Sequence, residues 1–362
     1  MRLENLKLIN YRNCTDLELN FGAGKILIAG KNAQGKTNIL ESICFLSTLR
    51  SPRTSNNLEL INFGAQSVGI SAGLIKADTH VELDFAYNTD KNRILKVNGA
   101  KSSSKDFKSV LKTVLFSTAD LLLLRGNPSD RRDWLDRAIS QIYPAYDGRL
   151  SKYDKIRIQK NNFLKEGVQN DALLDVFNEQ LIVTGSNIIY LRKKFLKEIE
   201  KIACEKHRVI SETEELRIEY GSFTSEEGTE GIARDFASAL EERRAEELRR
   251  GQACVGPHRD DVVFFINNDE AAKFASQGQQ RTIVLALKLS ELDIITEKTG
   301  DEPVLLLDDV LAELDDVRQN YLLKSIGETT QTIITSVDTV FFEEKFLKDI
   351  QVYAIAGGKL QE

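Results

Sequence analysis

The stretch Gly30-Lys31-Asn32-Ala33-Gln34-Gly35-Lys36-Thr37 constrains this chain more than any other. It fits G-x-x-x-x-G-K-[ST], the phosphate-binding loop of P-loop NTPases. Gly30 and Gly35 permit the backbone angles that turn successive N–H groups inward around phosphate oxygens. Lys36 is then placed to reach the β- and γ-phosphates, and the Thr37 hydroxyl to ligate Mg²⁺. The flanks agree with the motif. Lys25-Ile26-Leu27-Ile28-Ala29 reads as a short buried strand, and Ile39, Leu40, Ile43 and Leu46 recur at helical spacing after the loop. A strand, a phosphate loop and a helix in that order predict an α/β core that binds a nucleoside triphosphate.

Composition narrows the rest. At 362 residues the chain has room for two or three domains, and 41% hydrophobic with 29% charged residues is ordinary for a soluble globular protein. No apolar run approaches the length of a membrane span. The start, Met1-Arg2-Leu3-Glu4-Asn5, lacks a signal-peptide core, so a cytosolic location is expected. Cys14, Cys44, Cys204 and Cys254 form no C-x-x-C pair, which excludes a common zinc pattern and suits a reducing compartment. The 3 histidines are read as structural, and the net charge of -6 argues against a uniformly basic nucleic-acid binder while leaving room for a local basic face.

Along the chain, Leu3 to Phe21 alternates apolar and polar residues and reads as two strands around Tyr11-Arg12-Asn13. Strands return at Val68–Ile70, Val81–Phe85 and Ile94–Val97, predicting an antiparallel β layer beside the nucleotide core. From Leu121 to Arg250 the pattern becomes helical, with Ile188, Leu191, Phe195, Ile199 and Ile202 on one stripe. Gly221 to Gly231 reads as a loop. After Cys254, core-type sequence resumes with a strand at Val262–Ile266. The expected organisation is therefore a nucleotide head split between residues 1–120 and 251–362, interrupted by a helical arm at 121–250.

Two later segments complete a site. Val304-Leu305-Leu306-Leu307 is a buried strand ending in Asp308-Asp309, a Walker B pattern in which Asp308 would hold Mg²⁺. Asp309 stands where ABC-type ATPases usually carry the Glu that polarises water. The shorter side chain predicts slow hydrolysis with Asp309 as base. Ser276-Gln277-Gly278-Gln279 is a capping box opening an apolar helix, and helix N-termini bind phosphate. A phosphate loop, a long insertion, a Ser/Gly/Gln-rich helix start and a Walker B strand occur in the order of ABC-type ATPases. In that class the signature loop caps the γ-phosphate held by a second copy.

With these blocks in view the sequence resembles the RecF family, bacterial recombination-repair ATPases related to SMC proteins. The resemblance covers nearly the whole chain. It rests on Asn10-Tyr11-Arg12-Asn13, the phosphate loop extended to Asn38, Asp130-Arg131-Arg132 with Leu135-Asp136, and Gly256-Pro257-His258-Arg259-Asp260-Asp261. Ser276 to Thr282 and Leu307 to Leu311 complete the set. It implies an ABC-type ATPase head that binds ATP and Mg²⁺ through Gly30 to Asn38, with Arg12 and Asn13 beside them. Lys36 and Asp309 would be catalytic, and Thr37 and Asp308 would be the metal ligands. Ser276, Gly278, Gln279 and the D-loop acid Asp315 would act across an ATP-dependent homodimer. It further implies DNA-stimulated, weak hydrolysis, binding at gapped or single-strand–duplex junctions, and work with RecR and RecO to load RecA. Departures fall at Pro52, Thr118 and Ala312, where the family usually shows His, Pro and Ser.

For DNA the sequence offers one local cue. Between Arg149 and Arg208 stand 13 Lys and Arg against 8 Asp and Glu, in an otherwise acidic chain. Lys152, Lys155, Arg192, Lys193 and Lys194 are the candidate DNA contacts, against the plainer reading of a solvated helical face. Two rival functions are a transporter-type ATPase subunit and a short SMC-like tether. The first is disfavoured because Asp338 and its neighbours lack a switch histidine. The second suffers because the arm lacks sustained heptads.

Overall fold

The computed structural model describes residues 1–22, 24–167, 170–337 and 350–361. Asp338 lies outside the described residues. The chain forms two compact units, Met1–Asp120 with Leu287–Glu362, and Leu121–Ala286.

The first unit begins with β1 (Arg2–Tyr11), β2 (Cys14–Asn20), β3 (Lys25–Ala29) and α1 (Lys36–Thr48). β4 (Ser67–Lys76), β5 (Thr79–Asn88), β6 (Arg93–Val97), β7 (Ala100–Lys101), α2 (Ser104–Val110) and β8 (Thr113–Ser117) follow. A six-stranded sheet with order β2-β1-β4-β5-β6-β7 is antiparallel throughout. Its inner face alternates as a half-buried sheet should. The step from Leu3 to Leu6 breaks the alternation because the register with β4 shifts between Leu3 and Asn5, a bulge. Phe45 of α1 meets Phe85 of β5 edge-on, with ring centroids 4.7 Å apart. Every α1 residue from Ile39 to Thr48 is buried, so this helix has no solvent stripe and serves as core.

The second unit carries α3 (Leu122–Arg125), α4 (Pro128–Ile142), α5 (Tyr146–Glu166), the 41-residue α6 (Asp171–Ser211), β9 (Leu216–Gly221), α7 (Thr229–Glu242) and α8 (Arg244–Arg250). It continues through β10 (Asp261–Ile266), β11 (Asp269–Glu270) and α9 (Ala271–Phe274) to the start of α10 (Gln277–Thr299). β10 pairs antiparallel with β9, Phe264 opposite Ile218. That pairing is why the unit runs on to Ala286 rather than stopping at the expected Arg250: β10 is a strand of this unit's small sheet.

The first unit then resumes with β12 (Val304–Asp308), α11 (Asp316–Ser325), β13 (Thr332–Ser336), β14 (Ile350–Ala356) and β15 (Lys359–Leu360). These join β3 and β8 in a second six-stranded sheet, order β15-β14-β3-β13-β12-β8. Its interior is parallel, and Ile26, Leu27, Ile28 and Val304 to Leu307 are buried, as continuous apolar runs covered on both faces must be. Ala29 pairs with Ser336, and Asp308 with Thr335. The carboxyl ends of β3 and β12 therefore open on one edge with β13 between them, the usual place for a ligand in such a sheet.

Candidate nucleotide site

The phosphate loop leaves β3 at Gly30 and enters α1 at Lys36. Gly35 takes φ +108°, a left-handed conformation costly for any side chain, and a Cβ there would lie 2.8 Å from Asn13 Oδ1. The cap of α1 makes no side-chain hydrogen bond, which leaves first-turn N–H groups for a ligand. Lys36 is 3% exposed, and its Nζ donates to the carbonyls of Gly30 at 2.7 Å and Lys31 at 3.2 Å. A buried ammonium is costly without a counter-charge. Here the bonded partners are neutral carbonyls of the loop itself.

Across the edge, Thr37 Oγ1 donates to Asp308 Oδ1 at 3.0 Å, and Thr335 Oγ1 donates to the same oxygen at 2.9 Å. The Asp309 N–H donates to Thr335 Oγ1 at 2.9 Å, so one hydroxyl of β13 links both aspartates. Burial raises the Asp308 pKa, against the lowering effects of the Thr335 and Thr37 hydrogen bonds. Asp309 has φ +53°, and its buried Oδ1 has no hydrogen-bond partner among the described residues. A strained backbone holding an unsatisfied oxygen is the kind of outlier that marks a functional site. The loop, Asn13, Asn38, Glu41, Pro52, Arg53, Ser117, Asp308 and Asp309 border a cleft of about 550 Å³. A cation-bearing cradle, a Thr–Asp pair and an unsatisfied carboxylate fit a nucleoside triphosphate with Mg²⁺ on Thr37 and Asp308.

Arg12 and Asn13 form the β1–β2 turn beside the loop. Arg12 donates bidentately to Glu41, Nε to Oε2 at 3.1 Å and Nη2 to Oε1 at 2.6 Å, and also to the Glu59 carbonyl at 2.9 Å. Its guanidinium is thus committed to a carboxylate 1% exposed inside α1. Asn13 Oδ1 accepts from Asn38 at 2.8 Å, and Asn38 Oδ1 accepts from Arg53 at 2.8 Å. Glu41, Arg53 and Thr335 do not stand out in the sequence as site residues. A signal existed for Glu41, since a lone carboxylate in the apolar run Ile39-Leu40-Glu41-Ser42-Ile43 demands a counter-ion.

In the second unit the expected capping box forms. Ser276 N donates to Gln279 Oε1 at 2.7 Å, and Gln279 N to Ser276 Oγ at 3.2 Å. Gln279 Nε2 also donates to Glu214, so its amide is occupied on both sides, while Ser276 is exposed and Gly278 half-buried at the helix start. In the first unit Asp315 caps α11, accepting from Arg318 N at 3.0 Å.

The basic segment divides. Lys152, Lys155 and Lys194 lie on the outer part of their helices, none of them buried. Lys193 donates to the Thr224 and Glu226 carbonyls at 2.6 and 2.8 Å. Arg192 corrects the expectation: it is 2% exposed and cannot face DNA. It donates to both oxygens of Asp136 at 2.9 Å and to the Pro257 carbonyl at 2.6 Å. Charge counting missed this because α6 turns Arg192 onto the buried stripe of Ile188, Leu191 and Phe195.

That arrangement explains two sequence blocks whose role the letters left open. Arg131 pairs bidentately with Asp261 at 2.7 and 2.8 Å, and Arg132 donates to the Asp260 carbonyl at 2.8 Å. Tyr220 donates to Asp260 Oδ2 at 2.7 Å, and burial raises the Asp260 pKa to about 6. His258 joins Tyr153 Oη at 2.7 Å through Nδ1 and the Ala253 carbonyl at 3.2 Å through Nε2. Burial lowers its pKa to about 3, so it is the neutral ring, donating from Nε2 and accepting at Nδ1. Arg131 and Arg132 thus tie the first block to Asp261 and Asp260 of the second.

The family model for the RecF/RecN/SMC N terminal domain matches residues 2–359. The DNA replication and repair protein RecF of Thermosynechococcus vestitus is 41% identical over 99% of this chain and 97% of its own length. That of Streptococcus gordonii is 40% identical over 100% of both. A solved structure of the recombination mediator protein RecF with ATP, from the RecFOR pathway, superposes with a TM-score of 0.91 at 35% identity, covering 99% of this chain and 97% of that one. An Smc head at 15% identity and TM-score 0.55 shares the fold. The chain has an ABC-type ATPase head fold and belongs to the RecF family of DNA replication and repair proteins.

Proposed function

We propose that this chain is an ATP-gated DNA clamp of recombinational repair and replication restart. The observation that carries the reading is Lys36, a buried cation bonded to two loop carbonyls, beside an Asp309 oxygen without a hydrogen-bond partner among the described residues. An ATP phosphate group would supply a bonded counter-charge to Lys36, and Thr37 and Asp308 would hold Mg²⁺, whose contribution when bound would be charge neutralisation. Lys36 orients the phosphates, Thr37 and Asp308 hold the metal, and Asp309 takes a proton from the attacking water. The shorter reach of Asp keeps hydrolysis slow, so the site works mainly as a binding switch, with DNA stimulating turnover.

In this reading a second copy presents Ser276, Gly278 and Gln279 to the phosphates, and Asp315 completes the interface. The position of Ser276 at the N-terminus of α10 supports it through the preference of helix N-termini for anions. The closed homodimer holds single-strand–duplex junctions through Lys152, Lys155 and Lys194, works with RecR and RecO in loading RecA, and acts in the cytoplasm. No helix among the described residues is long and apolar enough to cross a membrane.

Sedimentation with and without ATP and Mg²⁺, on free protein and on gapped, single-stranded and duplex DNA, tests the switch. The expected result is a dimer and gapped-DNA binding only when ATP is present. A monomer throughout, with ATP bound, overturns the clamp.

A further inference from the structure

The phosphate loop is held from outside by the last turn of the chain. β14 and β15 are joined at Gly357-Gly358, with φ +56° and +73°. Gly358 N donates to the Gln34 carbonyl at 2.9 Å, and Gly357 N donates to Gln34 Oε1 at 2.6 Å. The turn thereby fixes both the backbone and the side chain of one loop residue. It also presses on the β1–β2 turn. A Cβ at Gly358 would overlap the Asn13 carbonyl oxygen, 2.8 Å from its carbon and 3.1 Å from Cys14 Cα. Asn13 in turn fills the space that Gly35 leaves by having no Cβ. At the other end of the loop, a Cβ on Gly30 would overlap the Ile355 carbonyl oxygen of β14. One hairpin therefore backs the loop at its first residue and at its crest.

A phosphate cradle made of backbone N–H groups works only when that backbone is already in place. Ordering a flexible loop at the moment of binding costs affinity. Lys36 and the start of α1 fix the exit of the loop, and β3 fixes its entry. Gln34, between them, has the hairpin.

We propose that the Gly357–Gly358 turn is a positioning clamp for the phosphate loop, setting nucleotide affinity by holding Gln34 and, through Asn13, Gly35. The proposal rests on the ATP reading of the site. Gly358 is its positioning residue, since it touches the loop and Asn13 but no reacting atom.

The two glycines make a matched pair for the test. Alanine at either must adopt the left-handed conformation and carries the same kind of backbone strain. At Gly357, however, a Cβ would meet nothing within 4 Å, whereas at Gly358 it strikes Asn13. The purified unaltered chain, Gly357→Ala and Gly358→Ala would be titrated with ATP and Mg²⁺ by calorimetry. Nucleotide-free melting would be recorded in parallel. The expected result is an ATP Kd about tenfold weaker for Gly358→Ala than for Gly357→Ala, measured at a temperature where both variants are fully folded by their nucleotide-free melts. A merely structural turn would move melting and leave the Kd ratio near one.

Should Gly358→Ala fail to fold, a chain ending at Ala356 keeps β14, removes the clamp without a clash, and is expected to weaken ATP binding similarly. Equal Kd values for the two alanine variants, or wild-type affinity in the shortened chain, overturn the proposal. Failure of the unaltered chain to bind ATP would instead overturn the reading of the loop, so the two failures are distinguishable.

Discussion

The nucleotide cleft and the second unit bury cations in opposite ways. In the nucleotide cleft Lys36 is sealed against carbonyls, and the nearby Asp309 keeps an oxygen unpaired among the described residues. In the second unit Lys160, 0% exposed, meets Glu247 at 2.6 Å, and Arg192 is matched oxygen for oxygen by Asp136. A buried charge answered by a buried counter-charge has completed its work on folding. One answered only by carbonyls awaits an anion. The comparison separates motif blocks that hold the scaffold from those that meet a ligand, although both read in the sequence as runs of Arg, Lys and Asp.

Substitutions that break the comparison should fall in a definite order. Arg192→Met strands the Asp136 carboxylate, and we expect a loss of about 3–5 kcal/mol in urea-melt stability. ATP affinity of the remaining folded protein should stay unchanged, and a normal melt would show that the pair is not needed. Lys36→Ala strands no bonded carboxylate. Melting without nucleotide should be near normal while ATP Kd rises about 100-fold, a cost of about 3 kcal/mol, and ATP-induced dimerisation disappears. Light scattering that finds the dimer intact would return Lys36 to the scaffold.

A third test concerns Asp260, the uneasy member of the second unit's network. Its folded pKa, about 6, lies above the ordinary carboxylate value of 3.8. The folded state therefore holds the proton more tightly. This contribution is fully present below about pH 4 and is lost as pH rises through about 6. Wild-type stability relative to Asp260→Asn should fall by about 2–3 kcal/mol over that window. Parallel melts across it that never diverge would remove Asp260 from the account. The smallest effect is expected on the outer helical face. Lys152→Glu with Lys155→Glu should flatten the salt dependence of DNA binding by about one unit of log–log slope for each phosphate no longer neutralised. An unaltered slope assigns those lysines to solvent.

Much of the nucleotide unit was legible because its signals are local. A phosphate loop, and an apolar strand ending in Asp308, each declare themselves within about ten residues, and so does the Ser276–Gln279 capping box in the second unit. What could not be read is what depends on distant partners. β8 was missed because Thr113–Ser117 is short; β9 was overlooked although Leu216, Ile218 and Tyr220 alternate with Arg217 and Glu219 in the pattern of a strand. Arg192 was misplaced because a count of charges along a segment ignores which side of the helix each faces. Thr335 gave no signal at all. A threonine in a buried strand becomes a bridge between two aspartates only once β13 lies beside β12.

The position of that strand has a consequence in time. Both hydrogen-bonding edges of β3 are occupied by strands near the far end of the chain, β13 on one side and β14 on the other. As the polypeptide emerges, residues 25–29 must wait for about 300 more before either neighbour exists, about 15–60 seconds at 5–20 residues per second. The β1–β2–β4–β5–β6–β7 sheet and the contiguous second unit need no such delay. The phosphate loop, among the first segments made, is among the last to be set. A ribosome stalled late in the message releases a chain with a finished arm and no place for a nucleotide.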